Sequence, residues 1–422
     1  MKELEVFFKR FPGVPREVIV KEDVLRLGES YSEPALKAAE GSQLKAYHIF
    51  SFDRVEVGKM RKGESLRVPE EIRIKGGPYG LRPTVIATRI AYDSPYRVDL
   101  FEGRPALFRG KKLLGEVEFP RKPRYYDDLL EDGTICSEII PMAFWGHLAV
   151  AVVLRGCHYW GRGECLFCDM NTNFRQQRGA GRQYTAYKSP DKVIKVLRKI
   201  FLEKKEPESH TWFVSGGTLT RKMEGLNDTE FYLSYIQAGK EALGHRWPVV
   251  LQTTAKDKRA CKRLKDAGVD IHHSNFEVWD RRLFKALCPG KEKHIGRDKW
   301  IKRIIESVDV FGEGRVCPTF VSGVEMSRPY GFRKVSDAVK STGEGLDFLM
   351  SRGVVPRITQ WCVEPLSALG GQPPAPLEYH VRIAEAWYET WKKYSLPPVG
   401  GYGPMGPGRA VYSNSAFMDM GS

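Results

Sequence analysis

The 422-residue sequence has no apolar run of membrane-spanning length, because the longest candidate, 142–154, is interrupted by Trp145, Gly146 and His147. No apolar signal segment follows Met1, so we predict a cytoplasmic protein. Eight cysteines are ordinary usage for this length and do not indicate a disulfide scaffold. The sequence also lacks a Ser-His-Asp arrangement, a Walker loop and a dinucleotide-binding glycine pattern after a strand.

An acidic excess is missing too. The 67 Lys and Arg residues outnumber the 52 Asp and Glu residues and give a net charge of +15. Nearly all of this excess falls after residue 145, and it would suit an anionic partner. There is no RGG segment or lysine tail, so the charge allows a nucleic-acid partner but does not favour one.

Residues 1–145 have the pattern of a β-rich N-terminal domain. Alternating apolar runs separated by glycine and proline turns predict strands at 71–74, 84–91, 97–101, 106–109 and 113–119. One helix is predicted at 33–39, and the proline-containing segment 120–123 is predicted to lie at the end of the domain.

From Ala149 the pattern changes to apolar strands that are each followed by an amphipathic helix. The predicted strands are 149–154, 211–214, 249–253, 271–274, 316–321 and 357–363. Six such units over 146–370 predict an α/β fold, a partial (β/α)6 TIM-type barrel. Residues 371–422 are predicted to form a C-terminal helix and an ordered Gly/Pro-rich tail.

Cys157, Cys165 and Cys168 directly follow the first predicted barrel strand, with the spacing C-x7-C-x2-C. Thiolates hold iron–sulfur clusters, usually four to a cubane cluster, so three would leave one iron open to a small molecule. A structural zinc site is the alternative, although its fourth ligand is rarely missing.

Small and polar residues follow the second, fourth and fifth predicted strands. Because the C-terminal ends of barrel strands carry the chemistry, we expect these residues near the cysteines. They are Ser215, Gly216, Gly217, Thr218, Asn275, Glu277 and Gly323. With the cysteine loop, this ordered set resembles the radical S-adenosylmethionine (SAM) superfamily over roughly 145–370. Its Asn-x-Glu segment and later Pro-Gly-Lys loop are most similar to the biotin-synthase-type branch.

The resemblance implies a [4Fe–4S] cluster and SAM as cofactors. Phe167 would contact adenine through its backbone, and the Gly216-Gly217 turn would admit the methionine ammonium group. Asn275 and Glu277 would point the same way from the fourth strand and hold the ribose hydroxyls. Gly323 would leave room for adenine, and the whole set from 215 to 218 is predicted to contact SAM.

Two departures from the superfamily pattern stand out. The usual cysteine spacing is C-x3-C-x2-C, so 158–164 make a longer loop, and Thr218 replaces the usual glutamate after the glycine pair. Among the other cysteines, Cys317 and Cys362 are the candidates for a second site. Buried free cysteines commonly act as small apolar residues, so we predict a single cluster.

Three arginines follow the cysteine loop closely. We predict that Arg175, Arg178 and Arg182 lie at the barrel mouth and clamp an anionic substrate, because guanidinium forks match carboxylates and phosphates.

The sequence therefore predicts a radical SAM enzyme that takes hydrogen from a small, anionic substrate in cofactor or metabolite biosynthesis. A flavodoxin or ferredoxin-type protein would donate the electron. The alternatives are radical SAM modification of a tRNA or protein, with which the basic charge is compatible, and a zinc-stabilised nucleic-acid-binding protein. No residue in the sequence identifies the substrate or the reaction subtype.

Overall fold

The computed structural model describes residues 2–45, 52–60, 67–154, 156–159, 161–179 and 187–421. The strands are β1 (Ser30–Tyr31), β2 (Glu71–Gly76), β3 (Leu81–Ala87), β4 (Tyr96–Phe101), β5 (Arg104–Arg109), β6 (Lys112–Glu118), β7 (Met142–Ala143), β8 (Leu148–Leu154), β9 (Thr211–Gly216), β10 (Val249–Gln252), β11 (Ile271–His273), β12 (Thr319–Ser322) and β13 (Arg357–Gln360). The α-helices are α1 (Lys2–Arg10), α2 (Arg16–Leu27), α3 (Glu33–Ala38), α4 (Cys136–Ile139), α5 (Met170–Gly179), α6 (Pro190–Arg198), α7 (Asp228–Leu243), α8 (Lys258–Asp266), α9 (Arg281–Leu287), α10 (Pro289–His294), α11 (Arg297–Phe311), α12 (Val335–Met350) and α13 (Leu377–Lys393).

The N-terminal part contains a six-stranded sheet with the order β1-β4-β5-β6-β2-β3. Its pairs are antiparallel except for β1 with β4. The five strands from β2 to β6 lie where the turn pattern predicts them. The predicted helix at 33–39 corresponds to α3, whereas α1 and α2, which precede the sheet, were not predicted.

The sequence pattern did not predict helix α2, because the charged residues of this helix are buried rather than solvated. Lys21 Nζ donates to Asp419 Oδ2 at 2.7 Å, and both side chains are completely buried. Glu22 Oε1 accepts hydrogen bonds from Ser415 Oγ at 2.9 Å and from the Ala416 backbone nitrogen at 2.6 Å. The C-terminal tail therefore supplies partners that no local pattern in α2 could indicate.

The barrel half is a parallel layer, and the predicted partial barrel is confirmed. Strands β8 to β11 are parallel neighbours, β7 adds an antiparallel edge, and β12 pairs with β13 in parallel. Isolated parallel bridges, His272 with Val316 and Glu277 with Phe320, connect the two sheets. Across the described ranges β13 does not pair with β8, so the barrel is open.

Local sequence explains the barrel elements. Every residue of β8 is buried, as expected for a strand covered on both faces. Helix α6 buries Val193, Val196 and Leu197 on one face, and Ser189 caps its N-terminus by accepting a hydrogen bond from the Lys192 nitrogen. Helices α9 and α10, between β11 and α11, were not predicted.

The tail after α13 is ordered coil. Tyr402, Tyr412 and Phe417 are fully buried, and Tyr402 contacts the barrel residue His273 at 2.8 Å. One apolar cluster fills the barrel, and a second joins the N-terminal sheet to α13 and the tail. The three-part division at 145 and 370 stays a prediction. In the described part of the chain, no helix is long and apolar enough to cross a membrane.

Glu29, in the N-terminal core, makes stability depend on pH. Burial, opposed by the nearby Lys45, raises the pKa of Glu29 from 4.5 to about 8. The folded state holds this proton more tightly than the unfolded state. The stabilisation of the fold by protonated Glu29 is therefore complete below pH 4.5 and is lost as the pH rises towards 8. We expect Glu29→Gln to flatten the fall in unfolding free energy over this window, measured by urea denaturation. An unchanged pH slope would contradict a protonated Glu29.

Candidate functional site

One cavity of about 300 Å³ lies at the C-terminal ends of the barrel strands, large enough for a small ligand. It brings together the three loop cysteines and most of the residues that follow the other strands. From the sequence-predicted set, the residues lining it are Cys157, Cys165, Phe167, Cys168, Ser215, Gly216, Gly217, Thr218, Asn275 and Glu277.

The cysteine loop is held by Asn171, a buried residue of α5. Its side-chain oxygen accepts from the Cys157 nitrogen at 2.7 Å, and its Nδ2 donates to the Cys157 carbonyl at 3.3 Å and to Glu164 Oε1 at 3.0 Å. The Cys168 nitrogen donates to the Cys165 carbonyl at 3.0 Å. Asn171 therefore fixes both ends of the long insert, a role that the sequence did not signal.

The loop cysteines face a site of low polarity. Burial raises the pKa of the Cys157 and Cys168 thiols. Such thiols become thiolates only where a positive group compensates the charge, as a metal centre does. Within the described ranges, no three His, Cys, Asp or Glu side chains are placed to ligate a single metal ion. This finding argues against a zinc site with one ion. It does not argue against a cubane cluster, in which each thiolate binds a different iron and the ligands therefore lie further apart.

The glycine pair after β9 allows two strands' loops to touch. A Cβ on Gly217 would lie 2.0 Å from the Gly156 carbonyl oxygen and 2.7 Å from the Cys157 Cα. A Cβ on Gly216 would lie 2.7 Å from the Tyr232 hydroxyl. Gly217 is therefore required for packing against the cysteine loop, and Gly216 for packing against Tyr232. Ser215, beside it, donates to Gln252 Oε1 at 2.8 Å.

Asn275 and Glu277 line the cavity from the segment after β11, not from the strand itself. The predicted strand ran to 274, but β11 ends at His273. Glu277 has the left-handed φ of 73°, which costs energy for a residue with a side chain. Its backbone is fixed there by β12, since its nitrogen donates to the Thr319 carbonyl at 2.9 Å and its carbonyl accepts from Val321 at 2.8 Å.

The Glu277 carboxylate is paired with Lys291, which also lines the cavity. Lys291 Nζ donates to Glu277 Oε1 and to the Asn275 carbonyl at 2.9 Å, and it lies 4.7 Å from the Trp300 ring centroid. Burial lowers the pKa of Lys291, but Glu277, Cys165 and Cys288 together outweigh burial, and the pKa is raised overall. Asn275 Oδ1 is buried without a hydrogen-bond partner among the described residues.

Lys291 is positioned by the long cysteine loop. A Cβ on Gly290 would lie 2.4 Å from the Gly163 carbonyl oxygen and 2.6 Å from Tyr159 Cγ, so α10 packs closely on the insert. The Pro289-Gly290-Lys291 pattern was visible in the sequence, but the lysine's role was not assigned. Its chemistry becomes evident only where the chain places it against Glu277.

Gly323 does not line the cavity. Its φ of 105° requires glycine, and a Cβ there would lie 3.3 Å from His380 Cε1. Its backbone nitrogen donates to Glu325 Oε2 at 2.9 Å. The predicted adenine contact is therefore replaced by a backbone turn that packs against α13.

The predicted arginine clamp also lies elsewhere. Arg175 and Arg178 are exposed on α5 and do not line the cavity. Arg175 donates to Thr172 Oγ1 at 3.2 Å, and the Arg178 guanidinium lies 5.8 Å from the Phe174 ring centroid. Arg182 lies outside the described residues. The helix that follows the loop turns these side chains to its outer face.

Sequence reasoning missed the polar residues that enter from other parts of the chain. Lys45, Thr88 and Glu71 line the cavity from the N-terminal part, and Ser413 from the tail. The Glu71 carboxylate accepts hydrogen bonds from the Phe144 nitrogen, the Trp145 nitrogen and Ser413 Oγ at 2.6–2.9 Å.

Two further cavity residues come from β13 and the segment after it. Arg357 begins β13, and Glu364 follows its end. Burial, followed by the nearby Asp169, raises the pKa of Glu364 to about 8. Neither residue belongs to a motif that the sequence displays.

The remaining cysteines have separate surroundings. The Cys317 thiol donates to the Gly314 carbonyl at 3.5 Å, and the Cys362 thiol donates to the Phe52 carbonyl at 3.1 Å. Burial, followed by the neighbouring Cys165, raises the pKa of Cys288. Cys288 is thus the additional cysteine that stands beside the loop.

No family model matches the chain. A curated relative, bacteriochlorophyllide c C-7(1)-hydroxylase of Chlorobaculum limnaeum, is 26% identical over 139 residues. The match covers 33% of this chain and 32% of that protein, so it spans about a third of the relative's length.

Solved structures with similar folds include radical SAM enzymes. Methylornithine synthase has a TM-score of 0.42 at 13% identity, covering 58% of this chain and 63% of that one. A radical SAM methyltransferase from Sphaerobacter thermophilus has a TM-score of 0.38 at 12% identity, covering 93% and 92%. Coproporphyrinogen III oxidase from Escherichia coli, a radical SAM enzyme, has a TM-score of 0.37 at 10% identity, covering 65% and 58%.

The chain is similar to enzymes of the radical SAM superfamily, the class that its cysteine loop and strand-end residues predict. Enzymes of this class use a [4Fe–4S] cluster and SAM. None of the relatives described above is a biotin synthase, so the biotin-synthase-type branch stays a prediction.

Proposed function

We propose that this protein binds a [4Fe–4S] cluster through Cys157, Cys165 and Cys168 and uses it to cleave SAM reductively beside a small-molecule substrate. The observation that carries the proposal is that one cavity is lined both by the three thiols and by the residues around the ends of β9 and β11. Cofactor or metabolite biosynthesis is the proposed setting.

The residues present fit these cofactors. Three cysteines on one loop line the cavity, and Asn275 Oδ1 borders it as a buried acceptor without a partner among the described residues. When bound, the cluster and SAM supply a one-electron cleavage that yields methionine and a 5′-deoxyadenosyl radical, which removes hydrogen from an unactivated C–H bond. A flavodoxin or ferredoxin-type protein is the proposed electron donor.

The chain's own residues would bind and orient the cofactors and enclose the cavity. Asn275 and Glu277 are placed to accept hydrogen bonds from ribose hydroxyls, and Lys291 holds the Glu277 carboxylate in position. Glu164, in the long insert, lines the cavity and is a candidate partner for the methionine ammonium group, because Thr218 brings no carboxylate there. Phe167 supplies a buried aromatic wall.

The N-terminal part and the tail contribute to the lining of the cavity. Phe52, Thr88 and Ser413 line it together with barrel residues. Enclosure of this kind excludes water and protects a reactive species from side reactions. The substrate therefore lies between the barrel and the N-terminal part in this proposal.

The test is anaerobic purification followed by iron analysis and incubation with SAM and dithionite. A radical SAM enzyme is expected to be brown, to hold about four irons per chain and to form 5′-deoxyadenosine, detected by chromatography. A colourless protein with one bound zinc would instead support the zinc-stabilised alternative. Iron without any SAM cleavage, in reconstituted protein, would contradict the proposed reaction.

The ribose contacts are tested separately by SAM titration. We expect Glu277→Gln to leave the iron content unchanged and to weaken SAM binding by about 1.5–3 kcal/mol, the scale for hydrogen bonds to charged groups. The control is Asp309→Asn, which removes an exposed partner of Lys258 far from the cavity. Equal SAM affinity in the parent and in Glu277→Gln would remove Glu277 from the site.

A further inference from the structure

Arg357 is a buried cation without a counter-ion among the described residues. Its side chain lines the cavity, and the residue is only 7% exposed. No carboxylate in the described part of the chain lies within ion-pair distance of it, whereas the buried Lys21, Lys45 and Lys291 each have one. Burying an unpaired charge is costly, so such a group normally has a partner.

The guanidinium is held rigidly and keeps one donor group open. Nε and Nη2 both donate to Thr319 Oγ1, at 3.1 and 2.9 Å, and the group lies 4.6 Å from the Tyr402 ring centroid. Nη1 has no acceptor among the described residues. Nη1 is not one of the fully buried polar atoms that lack a hydrogen-bond partner, so it borders the open space of the cavity.

Neighbouring residues do not compensate the charge. His273 is hydrogen-bonded on both ring nitrogens, to Thr319 Oγ1 and to the Tyr402 hydroxyl. Burial, and then the Arg357 charge, lower the pKa of His273 well below its usual range, so this histidine is neutral. Aromatic rings pack around the two tyrosines beside Arg357: Phe144 lies 4.7 Å from Tyr412, between ring centroids, and Phe213 lies 6.2 Å from Tyr402.

We propose that Arg357 binds the carboxylate of the substrate at the base of the barrel cavity, with the apolar body of the substrate against Phe144, Phe213 and Val150. A carboxylate carries the single negative charge that neutralises one guanidinium, and one of its oxygens can accept a charge-assisted hydrogen bond from the open Nη1. A phosphate dianion would leave a net negative charge buried among aromatic rings.

This inference rests on the proposed function only in taking the cavity as the substrate site. In this inference, Arg357 in the barrel interior binds the anion, in place of the exposed Arg175 and Arg178. Binding of a carboxylate is measured without SAM cleavage, so failure of the carboxylate site and failure of the radical reaction are distinguishable.

The experiment is calorimetric titration of the anaerobically purified full-length protein with phenylacetate, with phenylacetamide as the neutral probe and inorganic phosphate as the competing anion. We expect phenylacetate to bind, and the amide and phosphate to bind at least about tenfold more weakly. Arg357→Met should lose the preference for phenylacetate, whereas the exposed-site control Arg175→Met should keep it.

Stability separates a binding role from a structural one. Replacing an unpaired buried charge by an apolar side chain removes a desolvation cost, so the thermal midpoint of Arg357→Met should equal or exceed that of the parent. If that variant fails to fold, Arg357→Lys keeps the charge but not the fork and should bind phenylacetate more weakly than the parent. Equal phenylacetate binding in the parent and the Arg357 variants, no binding by the parent, or tighter binding of phosphate would each overturn the proposal.

Discussion

Replacing Cys157, Cys165 and Cys168 together by alanine is expected to abolish cluster binding and SAM cleavage. The three cysteines line one cavity, and Asn171 holds their loop through hydrogen bonds. Burial raises the pKa of the Cys157 and Cys168 thiols, so their thiolate forms require a compensating positive centre such as a metal. Reconstituted parent protein should hold about four irons per chain and the variant close to none. Iron analysis and 5′-deoxyadenosine formation measure the two outcomes.

The other buried cysteines are the matched controls. Cys288→Ala, beside Cys165, and Cys317→Ala, in the barrel interior, should keep the full iron content and one cubane-type signal on reduction. Retention of iron in the triple variant would refute the ligand assignment. Loss of a second, distinct signal in Cys317→Ala or Cys362→Ala would show that the single-cluster prediction is wrong.

Removing Lys291 alone is expected to destabilise the protein strongly. Lys291 and Glu277 are both buried and face each other, so Lys291→Met leaves a carboxylate without its cation inside the cavity wall. Loss of one partner of a buried ion pair costs about 3–5 kcal/mol. Urea denaturation of the anaerobic protein should show this loss, together with weaker binding of SAM because Glu277 is no longer held in place.

The double variant Lys291→Met/Glu277→Gln is the control for this cycle. Since both charges are removed, it should recover most of the lost stability but not the SAM affinity. A double variant as unstable as Lys291→Met would show that Lys291 acts through packing on Trp300, which lies 4.7 Å away, and not through its charge. Unchanged stability in Lys291→Met would show that the pair does not form.

The functional set was predictable where it follows strands in order along the chain. Cys157, Gly217 and Glu277 each come directly after an apolar strand, and parallel strands of a barrel bring their C-terminal ends to one face. Arg175 and Arg178 do not line the cavity, because closeness in sequence to the cysteine loop does not fix the face of α5 on which a side chain lies. Gly323 follows a strand as well, but its left-handed backbone turns it away from the cavity.

The sequence by itself determined the partial barrel and the cysteine loop, because apolar periodicity, glycine turns and ligand spacing are local properties. Only the tertiary structure decided that α2 buries its charges against the tail, that Lys291 pairs with Glu277, and that Arg357 stands in the cavity without a counter-ion. Each of these depends on whether a partner far away in the chain neutralises a buried charge. A charged residue reads the same in the sequence whether it is solvated, paired or left open for a ligand, and only the fold distinguishes the three.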